Sequence, residues 1–283
     1  MITTLVDMAR NKANALNLQT LAPLCDGENC PGNRARWHGL LRRSDGLRFE
    51  GRWYCGANCF RDAFEYRIRR LSAEHLGPQQ KARHRMPIGL ILLSRGIVRH
   101  DQLLTAMQQQ RATGELFGRV LLRLGFASED QIVAAIASQW GSPVYPVERS
   151  SECHHMIPQL LQEQHLMTPI HWVSAARDLY VAFTRAVNHS LLYSIESMLE
   201  CHTIPCFIKD SSLTERLRNA ASTTPESEIS IETRATTQEM CGSVVSYAQQ
   251  VGAEEVRLLA CDTHFWIRIQ TDHRHFDLLF RRN

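Results

Sequence analysis

Apolar positions along this chain recur with two different periods, and the change of period marks its segments. Between residues 88 and 145 the spacing is helical, and the same pattern occurs twice. IGLILLSRGIVRHDQLLTAMQQQ (88–110) and FGRVLLRLGFASEDQIVAAIASQ (117–139) superpose at an offset of 29 residues, with Gly89 on Gly118, Gly96 on Gly125, Leu103 on Ile132, Met107 on Ile136 and Gln110 on Gln139. Each copy predicts a short helix from its first glycine to its second, which supplies a left-handed stop. A longer helix follows, carrying Leu103, Met107 and Gln110 on one face, and in the second copy Ile132, Ile136 and Gln139. Ser128 and Gln131 make a capping box ahead of the last helix; Arg99 and Gln102 hold the same places in the first copy and cap it more weakly.

Elsewhere the pattern is mixed. Residues 157–166 read as a short helix, 171–183 as two strands around a turn, 190–202 as an amphipathic helix and 203–209 as a strand. The segment 236–252 predicts a helix. EVRLLAC, HFWIRIQT and HFDLLFR after it alternate as strands, most strictly in WIRIQ. Two polar stretches punctuate the chain: LGPQQKARHRMP before residue 88, and ASTTPESEIS at 221–230. The expected organisation is an N-terminal helix or tail (1–20), a cysteine module (21–76), a linker (77–87), a helical tandem repeat with a small α/β unit (88–220), a second linker (221–231) and a helix-plus-strands unit (232–283). The fold class is α+β and multidomain.

Four of the nine cysteines come as two close pairs, Cys25/Cys30 and Cys55/Cys59, with 24 residues between the pairs. Each pair supplies two thiolates from one turn, and two pairs complete a tetrathiolate site of the kind that holds structural zinc, with no position left open for a water. CDGENCPGN reads as a knuckle, GLRFEGRWYC as a hairpin and CFRDAFEYRIRRL as a helix beginning at the last ligand. That order resembles a treble-clef zinc finger. His38, between the pairs, is an alternative ligand. The remaining cysteines are scattered and predict buried thiols, as His154 and His155 beside Cys153 predict surface imidazoles. Asp262, His264, His273, His275 and Asp277 predict a polar sheet face.

Composition narrows the function classes. With 44% hydrophobic and 22% charged residues, the chain reads as an ordinary globular protein. The apolar runs are too short for a membrane span and no signal peptide is visible, so the expected compartment is the cytoplasm. Residues 1–84 hold 14 Lys+Arg against 8 Asp+Glu. With Trp37, Trp53 and Tyr54 among those arginines, a zinc-dependent nucleic-acid-binding regulator is the second reading. The three lysines, Lys12, Lys81 and Lys209, do not follow a glycine. No phosphate-cradling loop of the ATPase kind is therefore present, and a non-enzymatic role is expected.

The doubled motif resembles that of the MshEN domain, the N-terminal regulatory region of type II secretion and type IV pilus assembly ATPases (the GspE N-terminal family). The likeness extends over roughly residues 85–218, without the ATPase core. It implies binding of cyclic di-GMP across both copies, through Ile88, Gly89, Leu92, Leu93, Gly96, Ile97, Val98, Leu103, Met107 and Gln110. In the second copy the matching positions are Phe117, Gly118, Leu121, Leu122, Gly125, Phe126, Ala127, Ile132, Ile136 and Gln139. It also implies a secretion or pilus assembly ATPase, or a related protein, as partner. One departure stands out: the family motif opens on arginine, and here Pro87 and Leu116 occupy those positions, with Arg85 and Arg119 the nearest guanidinium groups.

Overall fold

The computed structural model describes residues 24–28, 30, 46–73, 85–150, 153–223, 228–231, 235–261 and 263–282. In chain order the elements are β1 (Leu47–Phe49), β2 (Arg52–Tyr54), α1 (Ala57–Ala73), α2 (Ile88–Ser94), α3 (His100–Thr113), α4 (Phe117–Arg123), α5 (Glu129–Trp140) and α6 (Gln159–His165). They continue with β3 (Met167–Val173), β4 (Asp178–Phe183), α7 (His189–Leu199), β5 (His202–Phe207), α8 (Asp210–Thr223), β6 (Glu228–Ile231), α9 (Thr237–Val251), β7 (Glu255–Cys261), β8 (His264–Gln270) and β9 (His275–Arg281). Two compact units result, Met1–Leu76 with Ser227–Asn283, and Gly77–Glu226.

The first unit is discontinuous in sequence. Its six-stranded sheet runs β2-β1-β7-β8-β9-β6. Glu50 and Gly51, at φ 48° and 77°, turn the β1–β2 hairpin with the paired positive angles that match strand twist. β1 then lies parallel to β7, Arg48 opposite Glu255 and Phe49 opposite Val256. The cysteine module (21–76) and the C-terminal segment (232–283), expected as separate units, thus share one sheet. Alternation supplies the physical reason: Leu47, Phe49 and Tyr54 show the same apolar side as Val256, Leu258, Phe265, Ile267, Ile269, Leu278 and Phe280, and all join one core. Helices α1 and α9 contact each other and contribute to that core Phe60, Phe64, Ile68 and Leu71, a helical stripe, with Met240, Val244, Val245 and Ala248. Each such large side chain removed from water stabilises by about 1.5–3 kcal/mol. The segment 221–231 is not a plain linker: α8 runs to Thr223 and Glu228–Ile231 pairs in parallel with β9 at the sheet edge.

The second unit joins the helical repeat to a three-stranded sheet, β3-β4-β5, with β3 and β4 antiparallel and β4 and β5 parallel. The repeat is not two independent hairpins. α2 packs mainly on α5, and α4 mainly on α3, so each copy's first helix rests on the other copy's second. Equivalent positions fill the shared core: Ile91 with Val120, Leu92 with Leu121, Val98 with Ala127 and Ala106 with Ala135. Gly96 and Gly125, at φ 66° and 67°, end the short helices as the sequence predicts. Ser128 makes its full capping box with Gln131, whereas in the first copy Gln102 Oε1 accepts from the Arg99 amide.

Residues 1–20, His38 and positions 77–84 of the first linker lie outside the described residues. No helix among the described residues is long and apolar enough to cross a membrane.

Candidate functional site

Two sites emerge, one in each unit. In the first, the thiol sulfurs of Cys25, Cys30, Cys55 and Cys59 all lie within 4.8 Å of one another. The Cys30–Cys55 and Cys55–Cys59 sulfur distances are 3.5 and 3.9 Å. A tetrahedral zinc thiolate with bonds of about 2.3 Å needs sulfurs about 3.8 Å apart, so the donor set fits the ion. The backbone supports it: the amides of Gly27 and Cys55 donate to Cys25 Sγ at 3.5 and 3.3 Å, as amides do toward sulfur carrying negative charge. Glycine suits position 27, because a Cβ there would sit 3.1 Å from Cys59 Cβ and press on the cluster. Without metal, burial pushes the Cys55 thiol up to about 11, helped by hydrogen bonds to Cys30 and Cys25, and raises Cys59 in the same way. Cys25 and Cys30 are buried in the core that the sheet shares with α1 and α9. The hairpin and the start of α1 supply Cys55 and Cys59. This cluster ties the knuckle, hairpin and helix to that core.

The second site is a pocket of about 300 Å³ within the second unit. The second copy of the motif supplies Phe117, Gly118, Leu122, Ile132, Ile136 and Gln139, and the first copy supplies Ile88. Leu116 and Arg119 also line it. Of the other motif positions, Leu92, Leu121 and Leu103 are buried in the helical core, and Gly96 and Gly125 serve as helix stops. Leu93 packs on that core, and neither Met107, which is 37% exposed, nor Gln110 lines the pocket. Gly89 is not open to a ligand. A Cβ there would meet Leu103 Cδ1 at 2.7 Å and Phe117 Cε1 at 3.1 Å, so the space opposite the first-copy glycine is filled by the protein itself. Gly118 lines the pocket, its nearest neighbour being Ile132 Cγ2 at 3.2 Å from such a Cβ. The two copies therefore differ: larger Phe117 closes the first, and Ile88 leaves the second open.

The two glutamines differ as well. Gln139 Nε2 donates to the Met86 carbonyl oxygen at 2.7 Å, and the Arg85 guanidinium lies 3.3 Å over the Trp140 ring. The end of α5 thus holds the segment that leads into α2, and Arg85 is committed to that contact.

Sequence reading missed the part of the pocket that comes from the three-stranded unit. Thr184 and Arg185 follow β4, and Ile208, Lys209 and Asp210 follow β5. Both strands are parallel, and ligands in such sheets settle beyond the carboxyl ends of strands, so the signal was present once DLYVAF and TIPCFI were read as neighbours. Arg119 and Arg185 both reach Asp210, Lys209 pairs with Asp130, and Glu129 accepts from Ser211.

Of the predicted polar sheet face, Asp262 lies outside the described residues, His273 is exposed and His275 half-buried, but His264 and Asp277 are buried. Asp277 is 4% exposed and accepts from Arg268 Nε and Nη2 at 2.8 and 2.7 Å and from Trp266 Nε1 at 2.8 Å; His264 is 5% exposed. These groups are desolvated, and Asp277 forms a buried ion pair.

No protein-family model and no curated protein matches the chain. Among solved structures, it is similar to a structure of MshE with cdg, at 22% identity over 48% of this chain and 99% of that one, with a TM-score of 0.41. It is also similar to two structures of the N-terminal domain of XpsE, at 13% and 17% identity. Each covers 46% of this chain, and 91% and 92% of theirs, with TM-scores of 0.36 and 0.29.

Proposed function

We propose that this chain is a non-enzymatic regulatory or adaptor protein of the secretion- and pilus-ATPase N-terminal type. In this reading it carries structural zinc on Cys25, Cys30, Cys55 and Cys59, and binds cyclic di-GMP at the second copy of its tandem motif. A secretion or pilus assembly ATPase is its partner. The observation that carries the ligand reading is the pocket on Ile88, Phe117, Gly118, Ile132 and Ile136, rimmed by Arg119, Arg185 and Lys209. Apolar walls suit the faces of a purine, and cations suit its phosphates. At about 300 Å³ the cavity takes one guanine nucleotide half rather than the whole ligand. The zinc would close the knuckle and hairpin onto α1, a folding role with no open coordination position.

Calorimetry with cyclic di-GMP on the full chain tests the ligand reading, with Ile136→Glu as the control that places a charge in the pocket. Heat with the wild type and none with the variant is the expected result. No heat from the wild type at high micromolar ligand would remove the receptor reading and leave the adaptor one.

A further inference from the structure

The rim of the pocket carries a charge arrangement that the motif does not encode. Lys209 Nζ meets Asp130 at 2.7 Å, and Glu129 accepts from the Ser211 amide and hydroxyl at 2.8 and 2.7 Å. These contacts are short. The third set is not: Arg119 Nη2 and Arg185 Nη2 approach the same oxygen of Asp210 at 3.3 and 3.8 Å. Two planar guanidinium groups converge on a single carboxylate oxygen that satisfies neither well. The two non-bridging oxygens of a phosphodiester stand farther apart around a tetrahedral phosphorus than those of a carboxylate, so a phosphate can offer each arginine its own acceptor.

Beside this pair lies an independent sign of a missing partner. Thr184, 5% exposed and lining the pocket, has an Oγ1 that is buried and without a hydrogen-bond partner among the described residues. Buried hydroxyls are ordinarily satisfied, so a ligand or water atom belongs there. Arg185 and Thr184 stand at the carboxyl end of β4, and Asp210 opens α8 just after β5.

We propose that Arg119 and Arg185 form a phosphate-binding clamp that the Asp210 carboxylate caps when no ligand is bound. The inference rests on the pocket reading above and adds to it the groups that hold the anion and a competitor built into the chain. On binding, the phosphate takes the place of the carboxylate, and Asp210, already 39% exposed on its side chain, turns to water at little cost. Loss of that carboxylate frees Arg119, on the helical repeat, from the start of α8. Occupancy of the pocket therefore changes how the repeat is tied to the three-stranded unit.

Calorimetry on the full chain with cyclic di-GMP, GMP, guanosine and inorganic phosphate, for the wild type, Asp210→Asn and Arg119→Ala/Arg185→Ala, tests this. Circular dichroism first verifies that each variant is folded. Removing the competing charge should tighten binding of the phosphate-bearing probes about three- to fivefold, the scale of an exposed ion pair. Guanosine should be unaffected, and the double arginine variant should bind GMP no better than guanosine. If cyclic di-GMP binds the wild type and Asp210→Asn leaves affinity unchanged or weaker, the cap is wrong while the pocket reading stands. If GMP binds Asp210→Asn through its phosphate but cyclic di-GMP binds neither protein, the clamp holds and the dinucleotide reading falls. Inorganic phosphate binding as tightly as GMP would support the clamp and locate its specificity in the phosphate alone. Silence from every probe with both the wild type and Asp210→Asn overturns both.

Discussion

The side-chain amide of Gln139, the last residue of the second motif copy, donates to the backbone carbonyl oxygen of Met86, just before the first copy begins. At 2.7 Å this bond closes the repeat on itself. Its counterpart by the 29-residue offset, Gln110 near Glu115, makes no such bond among the described residues. Gln139→Ala should therefore lower the stability of the repeat by about 0.5–1.5 kcal/mol, and Gln110→Ala should leave it nearly unchanged. Urea titrations of the two variants, compared at equal slope, check the difference. Equal midpoints would show that the bond contributes nothing.

Gly89→Ala tests the closed half of the repeat. The new methyl group would press on Leu103 and Phe117, both packed in or against the helical core. Overpacking costs about 1–3 kcal/mol, offset in part by the gain of about 1 kcal/mol in helix propensity. A net loss is expected, visible as a lower thermal midpoint. Gly118→Ala presses only on Ile132 and should change ligand affinity more than stability.

Asp277→Ala removes one partner of a pair that is 4% and 7% exposed. Arg268 would be left buried without its carboxylate, and the cost is about 3–5 kcal/mol. Replacing the pair together, Asp277→Leu with Arg268→Met, should be milder than Asp277→Ala alone. Guanidinium titrations of the single and double variants decide between a buried charge effect and simple loss of packing.

Zinc uptake by the cysteine cluster should release protons. Burial holds the Cys55 thiol at about 11, above any physiological pH, so the metal must displace its proton. Because the protonated form is the one favoured without metal, affinity should rise as pH rises and fall in acid. Calorimetry in two buffers of different ionisation enthalpy measures the released protons. A chelator should then unfold the hairpin and α1, and elemental analysis should find one zinc per wild-type chain and none after Cys25→Ser with Cys30→Ser. Intact structure in metal-free protein would remove the structural role.

Much of this was legible in the sequence because the signals are local. The paired glycines mark helix stops by their own φ, the apolar stripe of α1 repeats every turn, and Ile267 to Gln270 alternates apolar and polar along β8. Helix α8 leaves little trace in the sequence because its apolar side is thin: beyond Leu213, Leu217 and the Ala220–Ala221 pair the stretch is polar. Strand β6, four residues among serines, threonines and a proline, looks like the linker it adjoins. The parallel pairing of β1 with β7 had no local mark, since strand partners are chosen by matching faces and register across the chain. For the pocket, the motif gave the walls and concealed the rim, because Arg185, just after β4, and Asp210, the first residue of α8, become neighbours only after the sheet forms.

That same pairing orders events during synthesis. The cysteine-bearing hairpin emerges from the ribosome before the whole intervening unit, and the strand it must lie beside only after it. Everything needed by the intervening unit is available first, so that unit folds while the hairpin waits, its edge unpaired. Early capture of metal would keep the waiting hairpin from pairing with other chains, and would make zinc supply during translation, rather than after it, the point at which yield is won or lost.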